Sequence, residues 1–498
     1  MGAGNAGAAP GSDPAAGVST ELQRGVARGA FPGGAAAFGR AAGAPACVAR
    51  AAGTFTFDVQ SLPTGARSVF DAASLTKVIA TTGALMALHD QGLLRLDAPV
   101  CQALPEFSGG GKEKVTARML LSHTGGLREW FPFHRVPGLE GAPDVVARVC
   151  ADPLKYPPGG EPHYSDLGFI LLGRLVEVLS GQPLDTFCRD RLFRPLGMAQ
   201  TGFRRIPSEV SWDPRVVPTE VDAQRGLVWG EVHDPLAFVM GGVAGHAGLF
   251  TSALDAAKFA RCLLCGGTCP DSGRTLFQPQ TVRLFTSTHV NGRAKKPRAL
   301  GWDLASRYSP SPGGRHMGAR TFGHLGFTGT SLWADPDAGT YVVLLTNAVH
   351  PSAESKRANL ILEVRPRVAD TAMAALDSGS LTSREWWVPE DEGTSGVPRG
   401  GDVRAEGSPP GESTSASASE EGAVEEGAVE PDSSKTGLRG GGAGAVRLAA
   451  ARAAGGPRRL LAHGLVRLPH LWRKVLGREE KSVPRLTVTL RPPMPPRG

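Results

Sequence analysis

Long hydrophobic runs are missing from this chain. No stretch of about 18 consecutive apolar residues occurs, so no membrane-spanning helix is predicted. The first residues, 1–17, have neither an early Lys/Arg cluster nor a continuous apolar core, and no secretory signal is read there. Read from Met1, the chain is expected in the cytoplasm, or in the periplasm if its true start lies upstream. Cysteine is sparse and odd in number: Cys47, Cys101, Cys150, Cys188, Cys262, Cys265 and Cys269, seven in all. That argues for reduced thiols rather than a disulfide framework. Cys262, Cys265 and Cys269 lack a fourth ligand at zinc-like spacing, and a Gly-Gly turn follows Cys265, so a structural zinc is not expected. No G-x-x-x-x-G-K-[S/T] occurs either. The glycine-rich run Gly241 to Phe250 is therefore read as a tight backbone passage before a capped helix, 253–264, rather than a nucleotide cradle.

What is present is glycine and proline, 66 and 40 among 498 residues, and an apolar fraction of 41%, enough for a core. Composition divides the chain. Residues 1–17 form a leader read as disordered, 18–376 a folded domain, and 377–444 a Gly/Ser/Glu-rich linker too polar to fold. Residues 445–498 are an Arg-rich tail, either disordered or a basic amphipathic helix. Much of the net charge of +7 lies in that tail. A weak contact with a membrane surface is the most it suggests, with no specific nucleic acid.

Within the domain, a first helix is expected over Glu21 to Phe31 and short strands over Gly33 to Val59, pairing with strands much later in the chain. Ser74-Leu75-Thr76-Lys77 opens an apolar helical run ending near Gln91. Residues three apart on a helix share a face, so the Ser74 hydroxyl and the Lys77 amine come within hydrogen-bonding reach. A partly buried lysine with a lowered pKa can take a serine proton and make a nucleophile. His123, in Leu-Leu-Ser-His-Thr-Gly-Gly-Leu at 120–127, reads as a turn residue bonded to local backbone rather than a base. A Pro-Pro-Gly loop at 157–159 leads to Tyr164, just before an apolar helix, 167–179. Asp166 is a candidate N-cap, and Glu161 and His163 are expected to face solvent. His324-Leu325-Gly326 is placed on one strand of a hairpin whose partner is Thr340 to Thr346. Ala353 to Leu376 is read as a closing helix interrupted near Pro366.

Ser74-x-x-Lys77, Tyr164-Ser165-Asp166 and His324-Leu325-Gly326, in that order, resemble the three boxes of the serine β-lactamase-like, penicillin-binding-protein family. The runs at 120–127, 157–159 and 248–255 support the resemblance, which covers roughly residues 18–375. Its nearest branches are class C β-lactamases, D-alanyl-D-alanine carboxypeptidases and related esterases. The resemblance implies an α/β (α+β) fold, an antiparallel β-sheet flanked by helices with an all-helical subdomain. It implies a serine hydrolase without metal or organic cofactor, acting on a small-molecule or peptide ester or amide. It gives Ser74 the nucleophile role, Lys77 that of proton acceptor, and Tyr164 that of proton relay to the leaving group. The oxyanion hole would be the backbone N–H groups of Ser74 and Phe327, and Asp166, His324, Gly326 and Thr328 would contact substrate.

Two positions depart from the family pattern. Asp166 stands where Asn is usual, which raises the Lys77 pKa unless Asp166 turns outward to cap the helix; an alternative alignment takes Ser165-Asp166-Leu167 as an S-D-N box. His324 replaces a lysine and offers a mostly neutral imidazole to a substrate carboxylate. Weak β-lactam hydrolysis, or a penicillin-binding sensor with little turnover, is the other outcome this pattern allows.

Overall fold

The computed structural model describes residues 13–206, 213–287, 289, 297–305, 308, 310–355, 359–379 and 381. All belong to one compact unit. The linker beyond residue 381 and the basic tail 445–498 also lie outside the described residues, as does most of the 1–17 leader.

The helices that matter here are α1 (Ala16–Ala27), α2 (Gly83–Asp90), α3 (Ala117–Leu121), α4 (Ala142–Ala151), α5 (Asp166–Ser180), α6 (Ala253–Leu264) and α7 (Ile361–Asp377). The strands are β1 (Gly33–Arg40), β2 (Val48–Gly53), β3 (Val69–Asp71), β4 (Gly202–Phe203), β5 (Leu249–Ser252), β6 (Asp303–Leu304), β7 (Phe322–Leu325), β8 (Ser331–Asp335) and β9 (Thr340–Thr346). Six of them make a wholly antiparallel sheet in the order β2-β1-β9-β8-β7-β6. A small sheet, β3-β5-β4, stands apart and leads into the Ser74 turn.

The large sheet is buried on both faces, and its side chains sort by alternation. Ala36, Phe38, Trp333, Val342 and Leu344 pack with Val18 and Leu22 of α1 and Val364, Val368 and Ala372 of α7. Their neighbours Ala35, Ala37, Leu332, Ala334, Val343 and Leu345 join the larger core with Phe259 of α6 and the helices α2 to α5. Each fully buried Val or Leu contributes roughly 1.5–3 kcal/mol. The two faces therefore fix which way every strand residue points, and that alternation positions the site at the end of β7.

Several boundaries differ from expectation. The first helix starts at Ala16, before Glu21, because the Asp13 carboxylate accepts the Ala15 N–H at 2.9 Å and organises the entry. The closing helix starts at Ile361 rather than Ala353, and Pro366 sits inside it without ending it. Docking of Val364, Val368 and Ala372 on the sheet outweighs one missing backbone hydrogen bond. The expected hairpin is a three-stranded meander. The run from Thr321 to Trp333 turns at 326–330, so His324 pairs with Leu332 of β8 rather than with β9.

Candidate active site

β3 ends at Asp71, whose carboxylate accepts the backbone N–H groups of Ala73 (2.8 Å) and His233 (2.7 Å). Those bonds hold a tight turn in which Ala73 has φ +48°, a left-handed conformation costly for a residue with a Cβ. The turn lifts Ser74 to the mouth of the following helix. That helix begins as a π-helical segment, Lys77–Thr82, before α2. Thr81 bonds outward to the Gly245 carbonyl at 2.7 Å, tying the wide turn to a neighbouring loop. Single π turns inside helices recur at functional sites.

Lys77 is fully buried, and its Nζ meets three acceptors: Ser74 Oγ at 3.0 Å, the His246 carbonyl at 2.9 Å and Asp166 Oδ1 at 2.7 Å. An ammonium has three N–H bonds, so the donor set is used completely. Burial alone lowers the lysine pKa, but Asp166, then Tyr164, outweigh it and the net shift is upward. Of the two states read from the sequence, the lysine is in the one with a raised pKa, not the lowered one that action as a base calls for. The cause is the orientation of Asp166: Ser165, not Asp166, caps α5 by accepting the Gly168 N–H at 3.2 Å, which leaves the Asp166 carboxylate free to turn inward. Asp166 thus touches Lys77.

The His246 carbonyl reaches Lys77 because two backbones nearly touch. A Cβ at Gly245 would overlap the Phe169 carbonyl oxygen and lie 2.9 Å from the Gly173 Cα. Only glycine allows the 241–248 loop to press so closely on α5. The His246 imidazole in turn meets Asp234 at 3.0 Å, and Asp234 caps the short helix Pro235–Val239.

Tyr164 donates its hydroxyl to Ser74 Oγ at 3.0 Å. Its ring lies 4.7 Å from that of His123, and Lys77 Nζ and Arg298 Cζ lie 5.2 and 5.4 Å from its centroid. Burial raises the phenol pKa, with Lys77 opposing. His123 sits in the expected turn, with φ +58° and its N–H on the Leu120 carbonyl at 3.1 Å, but its imidazole reaches further. Its Nδ1 accepts the Ser165 N–H at 3.0 Å, 42 residues away, and its ring backs the tyrosine.

The third wall is the 326–330 turn. A Cβ at Gly326 would overlap Thr330 Oγ1 and lie 2.7 Å from the Ala72 carbonyl, so glycine is needed for the strand to reach the Ser74 turn. Thr328, read as a substrate contact, is fully buried, and its hydroxyl donates to the Asp71 carbonyl at 2.9 Å. Thr328 is a strut. Among the described residues, the N–H groups of Ser74 and Phe327 donate to no protein acceptor, so both remain available to a bound oxyanion. The Phe327 ring is exposed and stacks on His233 at 5.6 Å. His324 is buried, and its Nδ1 lies 2.8 Å from the Leu325 carbonyl, which places the proton on Nδ1. Burial first, then Lys77 and Arg298, lower its pKa to about 4 against the opposing pull of Asp303, so the ring is neutral at pH 7.

The structure brings Ser74, Lys77, Tyr164 and Asp166 into direct contact and sets Gly326 against the turn that carries Ser74. Sequence reading missed the buried Arg298–Asp303 pair at 2.8 Å, whose members carry no periodic signal. It also missed a cluster beside the site, where buried Glu129 accepts Lys155 Nζ (2.7 Å) and Tyr156 OH (2.6 Å) and His163 stacks on Tyr156 at 3.5 Å. His163 is thus half-buried rather than solvent-facing.

The Beta-lactamase family profile matches residues 20–365. The chain belongs to the Beta-lactamase family. A relative in Escherichia coli (strain K12), named "Putative D-alanyl-D-alanine carboxypeptidase", is 32% identical over 317 residues, 58% of this chain and 71% of that one. An N-acetylmuramyl-L-alanine amidase of Bacillus subtilis (strain 168) is 34% identical over 309 residues, 57% of this chain and 69% of that one. A penicillin-binding protein homolog from Caulobacter crescentus superposes with a TM-score of 0.57 at 21% identity, over 73% of this chain and 98% of that one. The last likeness concerns the fold, a mixed α/β architecture with antiparallel sheets and flanking helices. Members of the Beta-lactamase family with this fold include serine hydrolases, and carboxypeptidase is a name its relatives carry.

Proposed function

We propose that the chain is a serine hydrolase that cleaves an ester or amide through a Ser74 acyl-enzyme, of carboxylesterase or D,D-carboxypeptidase type. One observation carries this reading: Ser74 Oγ receives both Lys77 Nζ and Tyr164 OH at 3.0 Å. Because Lys77 rests as a fully bonded ammonium, it takes the Ser74 proton only after passing one of its own to Asp166, its nearest acceptor. The transfer turns the ion pair into a neutral pair and relieves the burial that opposes the lysine's charge. Ser74 Oγ then bonds to the substrate carbonyl carbon, and the Ser74 and Phe327 N–H groups hold the oxyanion. Tyr164 protonates the leaving alcohol or amine as the scissile bond breaks, and later takes a proton from the water that releases the acyl group.

Neutral His324 gives a substrate carboxylate little charge attraction, so hydrolysis of β-lactams is expected to be weak. The test is labelling with a fluorophosphonate, followed by mass spectrometry of the peptide carrying Ser74. Adduct on that peptide, lost in Ser74→Ala, is the expected result; labelling that persists in the variant overturns the assignment. A panel of a p-nitrophenyl ester, a D-alanyl-D-alanine peptide, an N-acetylmuramyl-L-alanine amide and a chromogenic cephalosporin then ranks substrates.

A further inference from the structure

Arg365 projects from the first turns of α7 and is buried. Its Nη2 donates to the Gly326 carbonyl at 2.9 Å and to the Thr330 carbonyl at 3.0 Å, the two residues that close the turn around Phe327. Gly326 N–H meets the same Thr330 carbonyl at 2.8 Å, and the Thr328 and Thr330 hydroxyls pin the turn to the carbonyls of Asp71 and Ala72. Among the described residues no carboxylate forms an ion pair with Arg365, and its Nε has no hydrogen-bond partner. Burial lowers its pKa to about 10, which still leaves it charged at neutral pH.

The Gly326 carbonyl and the Phe327 N–H belong to one peptide unit. That unit is trans, so the two groups point in opposite directions. The guanidinium therefore holds one end of the peptide dipole whose other end is the proposed oxyanion donor. Hydrogen bonds in series polarise one another, and a buried cation does so strongly. A neutral donor would satisfy the same two carbonyls without the desolvation that an unpaired guanidinium costs.

We propose that Arg365 is a positioning residue for oxyanion stabilisation, acting through the Gly326–Phe327 peptide. The proposal rests on the Ser74 acyl-enzyme reading above. The test compares wild type, Arg365→Lys and Arg365→Gln by kcat and KM on a p-nitrophenyl acetate ester and by the rate of fluorophosphonate labelling. Rates are normalised to the molecules that label, so unfolded protein drops out, and melting temperatures are recorded alongside. Arg365→Gln is expected to lower kcat and the labelling rate by about tenfold, less than deleting an oxyanion donor outright, with KM nearly unchanged. Arg365→Lys, which keeps the charge, is expected to recover most of the loss. Wild-type rates per labelled molecule in Arg365→Gln overturn the proposal. So do equal losses in both variants that follow their melting temperatures. A wild-type protein that does not label at Ser74 overturns the underlying reading instead.

Discussion

Lys77, the proposed base, is held as an acid in the resting site, and Asp166 is the reason. Replacing that carboxylate by the neutral amide, Asp166→Asn, removes the largest influence holding the Lys77 pKa up. The alkaline-going limb of the kcat/KM profile is then expected to move to lower pH, read by ester hydrolysis across pH 5 to 10 at about half-unit steps. A limb that stays in place would show that Asp166 does not govern the lysine. Lys77→Ala is expected to lower turnover by at least about a hundredfold, the scale of a lost general base. At this scale much was legible. Ser74 and Lys77 could be paired from their spacing, and Asp166 could be marked as the departure that matters. Its direction could not be read, because the choice between capping and pairing depends on Ser165 taking the cap. His123 does lie in its expected turn, but the strut role of Thr328 and the reach of the His123 imidazole are not legible for a related reason: their partners, Asp71 and Ser165, are remote in sequence and only the fold brings them near.

Elements also deliver these residues through close backbone contacts. One is the crossing of the 241–248 loop over α5 at Gly245 and Gly173. Gly245→Ala is expected to force the two apart and to destabilise the protein by about 1–3 kcal/mol, measured by urea unfolding. It is also expected to lower kcat, since the His246 carbonyl would withdraw from Lys77. Stability lost with kcat intact would mean that this carbonyl only fills a vacancy around the ammonium. The helix α6 was read at its true bounds, Ala253–Leu264, because Ser252 caps it and its apolar residues recur at helical spacing. The β7–β8 turn was not. Phe327-Thr328-Gly329 between two apolar stretches resembles a continuing strand, and only the close fit of Gly326 to the Ala72 carbonyl forces the chain back.

For the whole molecule, acid is the informative stress. His324 is buried in its neutral form with a pKa of about 4, against an ordinary value of 6.5. Below pH 6.5 the unfolded chain takes a proton that the folded protein refuses until about pH 4. Its contribution is therefore full above pH 6.5 and falls away as pH drops towards 4, by up to roughly 3 kcal/mol, then levels off. Urea midpoints at pH 7, 5.5 and 4 should show this fall, and a His324→Phe variant that keeps its fold should show a shallower one. An identical slope in both proteins would place the acid sensitivity elsewhere. The architecture was the most legible level: strands from both ends of the domain were expected in one antiparallel sheet, and β1 does pair with β9.

That pairing has a consequence for the order in which the protein is made. Gly34 finds its neighbour only when Thr346 arrives, so the early strand must wait for nearly the whole domain to leave the ribosome. Phe327 and Arg365 also come late. A nascent chain that already carries Ser74, Lys77 and Tyr164 is thus without its sheet and its third wall, and the proposed activity would be withheld until synthesis of the domain is all but complete.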